Sequence, residues 1–91
     1  MRTSYYMKVL ELEFNVANAL LKEEFVSGAA AYGTVKWFDP VKGFGFILIE
    51  AGEDPEFNGR DALLHVSVLR RKSCPTPNEG DLLRMRVGPR D

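Results

Sequence analysis

Four aromatic side chains, Trp37, Phe38, Phe44 and Phe46, and two lysines, Lys36 and Lys42, fall within the eleven residues from Lys36 to Phe46. Flat rings set beside cations and glycines suit one chemistry well. Unpaired nucleobases stack on the rings while ammonium groups meet phosphates. Aromatics in strands are also common in cores, and Lys-Gly is a common turn, so this arrangement needs support from elsewhere in the chain. Other chemistries have less to work with. The chain holds a single histidine, His65, and a single cysteine, Cys74, distant from it in sequence. No Gly-Lys-Ser/Thr phosphate loop and no spaced set of metal ligands accompanies them, so no enzyme, cofactor or metal is expected. Cys74 cannot form an internal disulfide and reads as an inert thiol.

The elements that must position these residues follow from alternation. Asp39-Pro40-Val41 reads as a turn between two strands. In the second strand Phe44 and Phe46 point to one face, whereas Gly45, Ile47 and Ile49 point to the other. One face is aromatic and the other is the aliphatic face of a core. Arg84 and Arg86 alternate with Leu83, Met85 and Val87, which predicts a strand with a wet side. The acidic run from Glu50 to Glu56 reads as an exposed loop without calcium-loop spacing.

A second segment, Asp61-Ala62-Leu63-Leu64-His65-Val66-Ser67, follows a Gly-rich, acidic stretch. Together with Lys36-Trp37-Phe38 and Lys42-Gly43-Phe44-Gly45-Phe46 it makes residues 32 to about 91 resemble the cold-shock domain family. The resemblance implies a mainly β, OB-fold-like antiparallel Greek-key barrel of five strands, with single-stranded DNA or RNA bound on one face. It places binding positions on Lys36, Trp37, Phe38, Lys42, Phe44, Phe46, Asp61 and His65. Plain alternation cannot put Lys36, Trp37 and Phe38 on one face, so the resemblance implies that a bulge or the strand's exit turns one of them. The family usually carries Phe where this chain has Leu63 and Val66. Binding weaker or narrower than that of a full platform is therefore expected. By the same resemblance the protein would act as an RNA chaperone or a regulator of transcription or translation in a cold-stress response, favouring pyrimidine-rich single strands.

The segment from Gly80 to Val87 looks like the family's fourth strand, and its fifth would begin just beyond Gly88-Pro89-Arg90-Asp91. This leaves a strand missing, or supplied by another segment. The pairing of Asp61-Ala62-Leu63-Leu64-His65 with the following Leu69-Arg70-Arg71 looks like cold-shock domains that occur in tandem in longer bacterial proteins, which would explain the abrupt end. Residues 1–31 form an N-terminal extension to the cold-shock-like domain of 32–91. Leu10, Leu12, Phe14 and Val16 alternate with Glu11, Glu13 and Asn15, which predicts a strand over about 7 to 16, although helical spacing also fits Met7, Leu10, Phe14, Ala17 and Leu21. From Ala17 to Phe25 the composition predicts a short helix. The strand is expected to pair with a sheet edge in its own barrel or in a partner's, the latter giving a homodimer by strand exchange or edge pairing. An alternative order of elements resembles an RNA-recognition motif, with 61–71 as its second helix, but Val66 and Val68 and the alternation of Ala62, Leu64 and Val66 favour a strand. A competing function is a protein-interaction or assembly module with weak or lost nucleic-acid binding.

Charge and composition bound these readings. The chain of 91 residues is 45% hydrophobic and carries a net charge of -1, which suits one small globular domain. From Gly33 onward nine Lys and Arg balance nine Asp and Glu, so stacking, not bulk charge, must carry any binding. The cluster Arg70-Arg71-Lys72 reads equally as a solvated loop or as a set of phosphate contacts. No apolar run is long enough to cross a membrane and no signal pattern opens the chain, so a reducing cytoplasm is the expected setting.

Overall fold

The structure is a computed structural model that describes residues 7–13, 28–71 and 74–89. Five strands, β1 (Met7–Glu13), β2 (Ala29–Asp39), β3 (Phe44–Gly52), β4 (Asp61–His65) and β5 (Leu82–Pro89), close into a barrel in the order β1-β4-β3-β2-β5. A 3-10 turn, Pro55–Phe57, joins β3 to β4, and one helix, α1 (Val66–Arg71), follows β4. The architecture is mainly β and OB-fold-like, as the family resemblance implies. Four of the five strand pairings are antiparallel, and β1 with β4 is parallel.

The N-terminal strand completes the barrel. β1 lies between β4 and β5, with Met7 opposite Ala62 on one side and Val9 opposite Val87 on the other. Of the two edges the sequence left open to it, it takes the one in its own chain. Its phase differs from the simple alternation. Met7 and Val9 are buried, then the register against β5 slips between Val9 and Glu11, and the next buried residue is Leu12. The extra residue is Leu10, which the alternation with Leu12 would have turned inward. A bulge moves every later side chain to the opposite face, and here it leaves Leu10 half-exposed. The last residues of the predicted strand, 14–16, the predicted helix over 17–25, and Lys72 lie outside the described residues.

Every strand contributes to one core. Val35, Ile47, Ile49, Leu64, Met85 and Val87 are its largest fully buried side chains, joined by Met7, Val9 and Leu12 from β1. Each such side chain contributes about 1.5–3 kcal/mol through removal of apolar area from water. β5 behaves as its sequence predicts: Met85 and Val87 face in, Arg84 lies with its guanidinium carbon 5.4 Å from the centre of the Tyr32 ring, and Arg86 donates to the Gly28 carbonyl at 3.0 Å.

The segment 61–71 divides where the sequence predicted one strand. β4 ends at His65 and the chain turns into α1, so Val66 and Val68 are helical. Val68 and Leu69 are consecutive and both buried, which a strand facing water on one side cannot achieve but a helix lying over the barrel can. The backbone N–H of Val66 donates to the Gly43 carbonyl at 2.8 Å, so the start of α1 is pinned to the β2–β3 turn.

Candidate nucleic-acid interface

The β2–β3 turn sets the geometry of the surface. Asp39 Oδ1 accepts from the N–H groups of Val41 and Lys42 at 2.9 and 3.1 Å, and Gly43 N–H closes the turn on the Asp39 carbonyl at 2.8 Å. Gly43 sits at φ 88°, a conformation that an L side chain resists. Gly45 faces inward against the β2 backbone at Trp37 and Phe38, where a side chain has no room. The two strands therefore approach closely, and the rings on their outer face are held near one another.

Trp37, Phe44 and Phe46 form a three-ring cluster on that face. Ring centroids lie 5.6 Å apart for Trp37–Phe44, 5.5 Å for Trp37–Phe46 and 6.4 Å for Phe44–Phe46, with interplanar angles of 66°, 65° and 83°. These are edge-to-face contacts, in which the positive edge of one ring meets the negative face of another and fixes their relative orientation. Trp37 is 41% exposed. Of the two expected causes, bulge or strand exit, a bulge is present: Val35 opposes Ile47 but Trp37 opposes Phe46, so Lys36 is the additional residue, and both Lys36 and Trp37 are exposed while Val35 is buried. Phe38 goes elsewhere. Its half-buried ring packs on the core, over Gly45, and is not part of the three-ring cluster.

His65 lies opposite Phe44 across the β3–β4 pairing and is exposed. Its Nδ1 accepts from the Ser67 N–H at 3.1 Å, so it carries no proton there, and the Ser67 hydroxyl 2.9 Å away must donate to it. The imidazole thereby caps the start of α1 with one nitrogen and directs its Nε2–H donor away from the helix. Asp61 accepts from Lys36 Nζ with both oxygens, at 3.1 and 3.2 Å. The pair is 48% and 39% exposed, so it contributes at most about 1 kcal/mol, and Lys36 can exchange this partner for a phosphate at little cost. Lys42 projects from the exposed turn.

The two positions where the family usually carries Phe separate. Leu63 lies opposite Phe46, in line with Trp37, whereas Val66 packs on the core and beside Gly43 from the first turn of α1. Arg70 and Arg71 are exposed, and Arg71 Nη2 donates to the Leu10 carbonyl of β1 at 2.9 Å. Cys74 is half-buried against the core. No group of His, Cys, Asp and Glu among the described residues is arranged to hold a metal, and no described helix is long and apolar enough to cross a membrane.

Comparison with known proteins gives this arrangement a lineage. Cold shock-like protein CspA of Stigmatella aurantiaca is 39% identical over 57 residues, spanning 63% of this chain and 75% of that protein. This chain belongs to the cold-shock domain family. The major cold shock protein of Streptococcus pyogenes is 44% identical over 50 residues, 55% of this chain and 64% of that protein. Glycine-rich protein 2 of Nicotiana sylvestris is 39% identical over 61 residues, 67% of this chain but 26% of that protein. The chain thus spans less than two thirds of the length of these last two relatives. No protein-family model matches it, and no solved structure emerges as a significant match.

Within this cold-shock domain, one outward-facing position escaped the sequence reading. Lys8 of β1 lies opposite Leu63, at the end of the line through Trp37, Phe46 and Leu63. The local signal for its orientation was available, since Met7 and Val9 on either side of it are apolar. Its neighbour across the sheet was not, because nothing local to β1 names β4 as its partner.

Proposed function

We propose that this cold-shock domain binds single-stranded RNA or DNA by stacking bases on Trp37, Phe44, Phe46 and His65, without any chemical step. Lys36 and Lys42 serve the phosphates, with Asp61 holding Lys36 near the rings while the site is empty. The single observation that carries the reading is the three-ring cluster, solvent-facing and held edge to face on a closed barrel. Trp37 is exposed and Phe44 and Phe46 are half-buried on the outer face, and a base stacked on such a ring gains about 1–3 kcal/mol. Preference for single strands follows because paired bases hide those faces. The protein would then oppose base pairing by mass action, as an RNA chaperone or as a regulator of transcription or translation working in the cytoplasm, and pyrimidine-rich strands suit the limited platform. Closure of the barrel by β1 removes the open edge that favoured an assembly role or a strand-paired homodimer, so the monomer is the proposed working unit.

Trp37 is the only tryptophan and lies in the site, so its fluorescence reports binding directly. Titration with oligothymidylate should quench it saturably, with a shallow salt slope, whereas the corresponding duplex should not. Absence of quenching at high micromolar strand overturns the proposal.

The unequal positions of Leu63 and Val66 lead to a further expectation. Leu63→Phe should tighten binding about fivefold, near the lower end of the stacking range because leucine already offers apolar contact. Val66→Phe should give no gain and instead destabilise the domain by roughly 1–3 kcal/mol through overpacking. Equal affinities for Leu63→Phe and the parent protein would place Leu63 outside the path of the strand.

A further inference from the structure

The line of side chains across the barrel does not stop at the aromatic residues. It runs from Trp37 on β2 through Phe46 on β3 and Leu63 on β4 to Lys8 on β1. Successive strands are about 4.8 Å apart, so Lys8 stands about 14 Å from Trp37 along this line. Beyond Leu63 the surface opens into a groove between β1 and α1, lined by Lys8, Leu10, Leu63, His65, Ser67 and Arg71 among others, with no carboxylate among the described residues of its walls. His65 belongs both to this groove and to the row opposite Phe44. The groove is therefore continuous with the stacking surface.

Its two cations differ in kind. Arg71 spends one N–H on the Leu10 carbonyl, where the β1 bulge leaves that strand, and keeps the rest of its planar fork for an acceptor. Lys8 has no ion-pair partner among the described residues, in contrast to Lys36, whose ammonium is already held by Asp61. A free ammonium and a half-used guanidinium flanking a carboxylate-free groove form a binding place for phosphodiester groups.

We propose that β1 is part of the binding surface: a single strand stacked on Trp37 and Phe46 continues over Leu63 into the β1–α1 groove, where Lys8 and Arg71 take its phosphates. The inference rests on the stacking function proposed above and adds to it a second, electrostatic section, supplied by the segment that precedes the family resemblance. A chain of near-zero net charge gains phosphate contacts without a basic surface, because the two cations sit where the strand leaves the rings.

The test compares parent protein, Lys8→Gln and Lys8→Arg, using oligothymidylates of about 3 and about 8 nucleotides, since an OB-fold site covers roughly 4–16. Lys8→Gln is expected to bind the longer strand about 3- to 10-fold more weakly at low salt. The slope of log affinity against log salt should flatten by about 0.7, the share of one phosphate contact on a single strand. The shorter strand should bind the parent and Lys8→Gln alike, and Lys8→Arg should keep the parent slope. Lys8 is at the surface, so unchanged thermal midpoints are expected for both variants. Strong Trp37 quenching with identical slopes for the parent and Lys8→Gln overturns this inference and leaves the stacking function intact. Absence of quenching in the parent overturns both.

Discussion

Trp37→Ala is expected to weaken binding of a fluorescently labelled single strand by roughly 5- to 150-fold, the equivalent of about 1–3 kcal/mol of lost base stacking. The indole is the largest ring in the cluster and the centre of two of its three contacts, with Phe44 at 5.6 Å and Phe46 at 5.5 Å. Removing it deletes one stacking face and frees the two phenyl rings that it holds. Because the side chain is 41% exposed and outside the core cluster, stability should fall far less than affinity. Fluorescence anisotropy at fixed salt measures the first quantity and thermal unfolding the second. Trp37→Phe should retain most of the binding, as a smaller ring in the same place. An affinity for Trp37→Ala within twofold of the parent, with the fold intact, would mean that bases do not stack here and that the cluster has another purpose.

The second large effect concerns stability. Val9→Asp is expected to abolish cooperative unfolding and, with it, nucleic-acid binding. Val9 is 3% exposed, lies opposite Val87 on β5, and belongs to the only described strand that bridges β4 and β5. A carboxylate there must either lose its charge or open the barrel, and leaving a buried charge unpaired costs several kcal/mol. A small domain has about 5–15 kcal/mol of total stability to set against that. If β1 leaves, β4 loses the strand paired with Ala62 and Leu63, so the platform is disturbed as well. Val9→Ala should be milder, a loss of buried area that lowers the thermal midpoint without removing the transition. Circular dichroism of Val9→Asp with a parent-like melting curve would show that the barrel closes without β1, and a chain shortened to begin at Gly28 would then also fold.

These two experiments address the two halves of the molecule, the motif-bearing strands and the strand that precedes them, and they were not equally legible. The sequence by itself determined the character of each face of β3, because alternation is a property of the backbone: Phe44 and Phe46 had to oppose Ile47 and Ile49 once the segment was extended. The family resemblance, not alternation, implied an irregularity at Lys36-Trp37-Phe38 and placed Asp61 and His65 among the expected binding positions; the structure shows a bulge at Lys36 and sets His65 opposite Phe44. What the tertiary structure alone decided was everything that depends on which strands become neighbours. Local alternation put Leu10 inward, but pairing with β5 inserts a bulge there and buries Val9 and Leu12 instead. Alternation continued β4 through Val66, but the need to cover one end of the barrel buries Val68 and Leu69 together and makes a helix. Phe38 goes to the core because β2 and β3 approach closely at Gly45, and Lys36 meets Asp61 from 25 residues away. The sequence left two homes for the N-terminal strand, and closure within its own chain selects one. Hydrogen bonds along an edge are indifferent to which strand supplies them. The choice is made by the apolar side chains of β1 fitting the same core as those of β4 and β5, a fit between segments that are distant along the chain.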